Sequence, residues 1–176
     1  MSGVFAFGKL PAHGDFVARG LDEPARAAWD AWASTGLQAA RDELGDSFEV
    51  AHDQAPAWRF RFGPSRFGVG WRTGAFAPSV DRSGRRFVVV LGVAGAGDEA
   101  RAEALEDVLY RALGEGLAID GMVEAAADLA GDDGVTEALF WTLGGAQHAP
   151  QSLAAPEPPG DLLLRALRPA AEPLVP

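Results

Sequence analysis

The run of five apolar residues at 87–91, Phe-Val-Val-Val-Leu, limits the possible folds more than any other feature of this sequence. A continuous, β-branched run of this length is typical of a buried strand in the centre of a sheet. Two further strand patterns precede it: residues 58–62 alternate aromatic residues with arginines, and residues 67–76 are glycine-rich and predict a bulged strand. Strands that follow one another so closely favour an antiparallel or mixed sheet over a doubly wound parallel one.

Two long amphipathic helices are predicted, one before and one after these strands. The first follows Asp22, a suitable N-cap, and ends before Gly45. Its apolar positions recur every three or four residues, at Ala25, Trp29, Ala33, Leu37, Ala40 and Leu44. The second begins after Asp98 and ends near Gly114 and Gly116, and the acidic residues in its first turns suit the helix dipole.

Shorter elements complete the predicted fold. Residues 4–7 and 138–143 are interpreted as strands, and residues 119–129 and 162–167 as short helices, the last with Asp161 as a cap. The expected architecture is a three-layer α-β-α sandwich of the α/β (α+β) class. Its central sheet is expected to be mixed or largely antiparallel, with helices on both faces.

Size, composition and charge limit the function classes. The 176 residues suit one domain, expected over residues 1–168, followed by a Pro-rich, frayed tail at 169–176. The absence of cysteine excludes disulfide scaffolds, thiol nucleophiles and thiolate zinc sites. A net charge of -10 disfavours nucleic acids and anionic membranes as partners. No apolar run reaches about 18 residues and no signal-peptide pattern occurs, so we expect a cytoplasmic protein without direct membrane insertion.

Two residue groups near the N-terminus could in principle bind a phosphate or a metal ion, but neither has a specific pattern. Gly8-Lys9 resembles the end of a phosphate-binding loop that lacks its upstream glycine, and a solvated lysine is the simpler interpretation. His13 and Asp15, with a distant carboxylate such as Asp81, could hold a divalent ion. A hydrogen bond that stabilises the loop explains the same residues more simply. We therefore expect no metal and no cofactor.

A second catalytic hypothesis rests on Ser79, Asp81 and His52, which are the residue types of a hydrolase triad. No G-x-S-x-G pattern surrounds Ser79, and a proline precedes it. The sequence of residues 78–85 instead favours a turn between two strands, in which the acidic and hydroxyl side chains bond the local backbone. We expect no catalytic residues.

Four segments together resemble one family. Residues 8–17 (GKLPAHGDFV), 55–60 (APAWRF) and 78–87 (PSVDRSGRRF) are similar, in order and spacing, to motifs of the TagF (ImpM) family of bacterial type VI secretion accessory proteins. Residues 140–145 (FWTLGG) resemble the tryptophan-glycine strand of that family, with phenylalanine in place of its first tryptophan. The motif positions, as candidates for structure or contact, are Gly8, Pro11, Gly14, Asp15, Phe16, Pro56, Trp58, Pro78, Ser79, Asp81, Arg82, Gly84 and Arg85.

The resemblance implies a three-layer α-β-α domain and a cytoplasmic negative regulator of type VI secretion that acts after translation. In relatives, repression works by binding an FHA-domain scaffold protein of the apparatus, and that role involves no enzymatic activity. The alternatives are a metal-dependent hydrolase that uses His13, Asp15 and Asp81, or a structural subunit of the apparatus. The oligomeric state stays open.

The two polar motif segments are expected to be neighbours in space. Both carry turn chemistry, and we predict that Asp15 or Asp81 accepts a hydrogen bond from Arg82 or Arg85. Such a pair would fix two loops at the same end of the sheet.

The candidate partner-binding face comprises arginines and tryptophans, the residue types that dominate the binding energy of many interfaces. Arg82, Arg85 and Arg86 are the only concentrated cations of the sequence. Trp32 lies off the main apolar stripe of its helix, and we expect an exposed edge of Trp32 or Trp58 beside these arginines. The competing interpretation is that the arginines only stabilise the turn.

Overall fold

One antiparallel sheet forms the centre of the fold in the computed structural model, which describes residues 3–169. Its strands are β1 (Val4–Gly8), β2 (Val17–Arg19), β3 (Trp58–Phe62), β4 (Arg72–Val80), β5 (Arg86–Ala94), β6 (Leu139–Thr142) and β7 (Gln151–Leu153). Their order is β2-β1-β5-β4-β3-β6-β7, and all neighbouring strands pair antiparallel. The apolar run at 87–91 is fully buried in β5, between β1 and β4, so the prediction of an internal strand is confirmed.

Helices cover both faces of this sheet. They are α1 (Glu23–Leu44), α2 (Phe48–Gln54), α3 (Glu99–Glu115), α4 (Ile119–Ala125) and α5 (Leu162–Leu167). On one face, α1, α2 and α5 enclose an aromatic core that includes Trp29, Phe60 and Phe76. On the other face, α3 and α4 pack over smaller aliphatic residues of the sheet such as Val89 and Leu91. The predicted three-layer arrangement is confirmed, and the sheet is wholly antiparallel.

The predicted limits of the two long helices are also confirmed. The Asp22 side chain accepts a hydrogen bond from the N–H of Ala25 at 2.9 Å, which satisfies a free donor in the first turn of α1. Asp98 caps α3 in the same way, and Gly45 and Gly116 follow the last residues of the two helices. Asp161 precedes α5 as predicted, but its side chain makes no capping hydrogen bond, so that part of the prediction is wrong.

Several short elements differ from the sequence-based expectation. The structure adds β2, β7 and α2, each of seven residues or fewer, which have too little periodicity to be recognised from sequence. The predicted helix over 119–129 is α4 followed by a single 3-10 turn, Ala127–Leu129. Apart from Pro169, the predicted frayed tail lies outside the described residues.

The glycine-rich segment at 67–76 was predicted to be a bulged strand, and this is wrong in position and in kind. A tight turn, closed by paired backbone hydrogen bonds between Ser65 and Gly68, precedes β4. β4 then pairs with β5 without interruption from Arg72 to Val80. Its other neighbour, β3, reaches only to Phe76, so the last four residues of β4 form an open edge where Pro78 is tolerated.

Candidate interaction site at the motif loops

Two loops meet at the end of the sheet where β1 ends and β5 begins. We call residues 9–16 the first loop, residues 81–85 the second loop, and both together the motif loops. The N–H of Lys9 donates to the Val88 carbonyl at 3.1 Å, so the first loop leaves β1 directly beside β5. At Gly8, where φ is +133°, a Cβ atom would lie 2.1 Å from the same carbonyl oxygen, so this close approach requires glycine.

Arg82 and Arg85 join the two loops. The backbone N–H of Arg82 donates to the His13 carbonyl at 2.8 Å, and its guanidinium donates to the Ala12 carbonyl at 2.5 Å. The Arg85 guanidinium donates to the Gly14 carbonyl at 2.7 Å. Both arginine side chains are nevertheless exposed. The prediction that the two motif segments are spatial neighbours is confirmed.

Asp81 organises the second loop from inside. Its carboxylate accepts hydrogen bonds from the N–H groups of Ser83 at 2.9 Å and Arg85 at 3.0 Å, and from the Arg85 guanidinium at 2.6 Å. Burial raises the pKa of Asp81, but the hydrogen bonds from Arg85 and Ser83 outweigh burial and hold this pKa below its ordinary value. The predicted carboxylate–arginine pair is therefore present, with Asp81 and Arg85 as its members.

Lys9 is buried, which contradicts its interpretation as a solvated lysine. Only 7% of the residue is exposed, and its Nζ lies 3.5 Å from the Asp81 carboxylate. The same Nζ lies 4.8 Å from the ring centroid of Phe16 and 5.5 Å from that of Phe87. Phe16 packs edge-on against Phe87, so the ammonium group lies beside two aromatic rings and a carboxylate.

Arg86 differs from the other two arginines of the predicted face. Its Nε and one terminal nitrogen donate to the two carboxylate oxygens of Asp53, each at 2.9 Å, and its other terminal nitrogen lies 3.3 Å from Glu49. The hydrogen bonds from Arg86 lower the pKa of Asp53 to about 2, against the raising effect of its partial burial, with a further contribution from His52. Arg86 is thus engaged with α2, whereas Arg82 and Arg85 present their guanidinium groups to solvent.

The expected exposed edge of Trp32 or Trp58 is wrong, since both residues are buried. The Trp32 Nε1–H donates to the Pro159 carbonyl at 2.9 Å, because the chain that leads into α5 lies over this side of α1. Trp58 points into the aromatic core, as the alternating pattern of β3 requires. Neither tryptophan can contribute a surface to the candidate face.

The hypothesised metal ligands do not come together. The His13 Nε2 accepts a hydrogen bond from the N–H of Ile119 at 3.0 Å, so this side chain caps the start of α4. Asp15 accepts from the neighbouring N–H of Phe16 at 2.8 Å, and Asp81 is enclosed by the second loop. Across residues 3–169, no three His, Asp or Glu side chains are grouped so that they could hold a metal ion.

The hypothesised triad is not assembled either. The His52 Nε2 donates to the Phe87 carbonyl at 2.6 Å, and its Nδ1 lies 3.2 Å from Asp53 rather than from Asp81. Ser79 Oγ is buried and has no hydrogen-bond partner within the described part of the chain. A serine that makes no bond to a histidine has no general base, so this arrangement lacks the geometry of a hydrolase.

The remaining motif residues lie at turns and at strand ends. Pro11 and Pro78 line a pocket of about 270 Å³ at the open edge of β4, beside Ser79. Pro56 lies just before β3, and Gly84 supplies a φ of +80° in the second loop. Most of the motif therefore shapes the polypeptide around Arg82 and Arg85.

Sequence reasoning did not find Arg41 as a member of this region. Its guanidinium donates to the Arg86 carbonyl at 3.3 Å and lies 4.8 Å from the ring centroid of Phe48. Its position off the apolar stripe of α1 indicates exposure, but nothing in the sequence shows which loop it approaches.

At the motif loops the structure holds two exposed arginines, Arg82 and Arg85, by hydrogen bonds to carbonyls of the first loop. The sequence model of the family described as "TagF N-terminal domain, Type VI secretion system-associated" matches residues 5–129, which include both motif loops. The chain belongs to this family and is associated with type VI secretion.

A solved structure supports the same fold over nearly the whole chain. The crystal structure of PA0076 from Pseudomonas aeruginosa PAO1 is similar with a TM-score of 0.80 and 27% sequence identity, over 98% of each chain. No curated protein matches the sequence. Within the described residues, none of the helices is both long and apolar enough to span a membrane.

Proposed function

We propose that this protein is a cytoplasmic negative regulator of type VI secretion that acts after translation. In this proposal it binds an FHA-domain scaffold protein of the secretion apparatus through the motif loops, and it is not an enzyme. Membership of the TagF family supports the association with type VI secretion. The proposal of a binding role depends on the chemistry of the motif loops.

The observation that carries the proposal is the state of Arg82 and Arg85. Each guanidinium is fixed by a bond to a backbone carbonyl of the first loop, at 2.5 Å and 2.7 Å respectively, and is still exposed. A fixed arginine loses less side-chain entropy when it binds a partner than a free one does. Two such groups within one turn provide preorganised donors for a carboxylate or carbonyl of another protein.

The hydrogen bonds of the polar motif residues support a binding role over catalysis. Asp81, His13 and Asp15 bond to loop or helix backbone within the protein. Their donors and acceptors thus stabilise the surface that carries the arginines. They are not directed at a common point where a substrate could react.

The double variant Arg82→Glu with Arg85→Glu tests the proposed face. We expect it to lose capture of the scaffold protein from bacterial lysate and to lose repression of secretion, with a melting temperature close to that of the wild type. Arg26→Glu with Arg111→Glu is the matched control, because both are exposed helix arginines whose carboxylate partners lie on the same helix.

Unchanged capture and repression in the Arg82/Arg85 variant would overturn the proposed face. Because the charge reversal removes bonds to the first loop, Arg82→Lys with Arg85→Lys serves as a second variant. If both double variants unfold, the arginines act as structural links and the binding hypothesis for this face is rejected.

A further inference from the structure

An open groove of about 810 Å³ lies between the second loop and the C-terminal end of α1. Its charged lining residues are Lys9, Arg41, Arg85, Arg86, Asp46 and Glu49. Four basic residues in one groove are unusual for a chain that has 15 basic and 25 acidic residues. The groove thus concentrates positive charge in a protein that is acidic as a whole.

Lys9 is the least solvated cation in this groove. Its side chain is 9% exposed, and its Nζ makes an ion-pair contact of 3.5 Å to Asp81 but no hydrogen bond within the described residues. Asp81 already accepts from Arg85 and from two backbone N–H groups. An ammonium group has three donors, so donors of Lys9 remain available to a ligand in the groove.

The carboxylates in and beside the groove are unevenly distributed among its four basic residues. Asp53 and Glu49 both contact Arg86, and each lies within 3.3 Å of it. Lys9 and Arg85 share a single carboxylate, Asp81.

Arg41 makes no ion pair within residues 3–169, although Asp46 also lines the groove. Lys9, Arg41 and Arg85 are thus accompanied by a single buried carboxylate, that of Asp81, which pairs with Lys9 and Arg85. An anion that enters the groove would meet donors of Lys9, Arg41 and Arg85 at low desolvation cost, since the aromatic rings already exclude water from Lys9.

We propose that this groove binds an acidic peptide segment of a protein partner, with carboxylates paired to Lys9, Arg41 and Arg85. The volume exceeds what a single oxyanion fills, and the three cations lie on two different elements, the last turns of α1 and the motif loops. Phe16, which is 48% exposed, adds an apolar surface beside Lys9. These features suit several carboxylates on one chain rather than one isolated ion.

The inference deepens the proposed function and rests on it for the identity of the partner, since Arg85 belongs to both surfaces. The groove extends that face from the exposed arginines of the second loop toward α1. Binding of an acidic segment is a property of the groove itself and can be measured without the scaffold protein.

Lys9 is the only lysine of the chain, so protein grown with ¹³C,¹⁵N-lysine gives a single lysine side-chain signal in NMR. We expect titration with a hexaglutamate peptide to shift this signal and the dissociation constant to rise with salt. Arg41→Gln should weaken binding by about three- to five-fold, as expected for loss of one ion pair made by an exposed arginine. Arg111→Gln removes an exposed arginine of α3 and should change the constant less than about two-fold.

Each other outcome counts against the proposal. An unchanged Lys9 signal at saturating hexaglutamate overturns it, and so does equal weakening by Arg111→Gln, which would indicate attraction by general charge. If inorganic phosphate shifts the signal as strongly as the peptide does, the groove is a single-oxyanion site and the peptide assignment is wrong.

The two proposals can fail separately. Suppose that Arg82→Glu with Arg85→Glu abolishes scaffold capture but hexaglutamate leaves the Lys9 NMR signal unchanged. The proposed function is then supported and the groove assignment is wrong. If hexaglutamate binds but the wild-type protein does not capture the scaffold, the groove is an acidic-peptide site whose partner is a different acidic protein.

Discussion

At both ends of the sheet, arginine side chains donate hydrogen bonds to loop carbonyls, but the arginines are exposed at one end and buried at the other. At the motif end, Arg82 and Arg85 donate to carbonyls of the first loop and stay exposed. At the other end, Arg61 donates to the carbonyls of Gly97 and Glu137 and is only 6% exposed. A buried guanidinium can only hold the loops that cover it. An exposed one can hold a loop and still bind another protein, so burial distinguishes a structural arginine from a candidate contact.

The largest effect is expected from a change in the strand that supports both ends. Val89 is fully buried in β5, so Val89→Asp places an uncompensated carboxylate in the aliphatic core, which is costly. We expect an insoluble or unfolded protein, checked by solubility and circular dichroism. The matched control is Val69→Asp, at a valine that is 90% exposed, which should stay soluble with wild-type melting. A soluble, normally melting Val89→Asp variant would contradict the burial of β5.

The next effect compares an arginine from each end directly. Arg61→Met should lower the free energy of unfolding by about 2–4 kcal/mol, because it leaves two loop carbonyls without their charged donor. Arg82→Met should lower it by less than half as much, because this exposed side chain donates only to the Ala12 carbonyl and water replaces the lost donor. Urea unfolding of both variants measures the difference. Equal losses would show that both ends are purely structural.

The smallest expected effect is on the pH dependence of stability. The two ends of the sheet differ here because an arginine at the motif end bonds to a carboxylate, which titrates, and Arg61 bonds to carbonyls, which do not. The pKa of Asp53 is lowered to about 2 by Arg86, so the pair stabilises the fold above the unfolded-state pKa of about 4. That contribution is lost as the pH falls from about 4 to 2, and it is at most about 1 kcal/mol, because Asp53 is half exposed. Asp53→Asn should flatten this part of the stability curve. Arg61 bonds only to carbonyls, which do not titrate, so Arg61→Met should leave the shape of the curve unchanged.

Local patterns in the sequence predicted the parts of the fold that depend on nearby residues. The caps of α1 and α3, the period of β3 and the apolar run of β5 each reflect interactions within one element. The adjacency of the motif loops was also predictable, because both loops contain turn residues and complementary charges. The short elements α2, β2 and β7 were not, because their stability comes from what they pack against.

The environment of single side chains was the least predictable feature. Lys9 follows a strand-ending glycine and looks solvated, and only the approach of Phe16 and Phe87 in three dimensions buries it. Trp32 was expected to be exposed because it lies off the apolar stripe, but the chain near Pro159 covers it from more than 120 positions away. Long-range packing of this kind leaves no periodic signal in the sequence.

The order of strands in the sheet has a consequence for synthesis on the ribosome. β4 and β5 form a hairpin from adjacent residues, so the second loop at its tip can form as soon as that segment emerges. β1 pairs with β5, where Val4 lies opposite Val93, and must wait until nearly a hundred residues have been made. During that interval β2 can already pair with one edge of β1, but we expect the edge that faces β5 to remain unpaired, with Phe5 and Phe7 accessible to chaperones. The arginine surface is then completed only when this first strand docks.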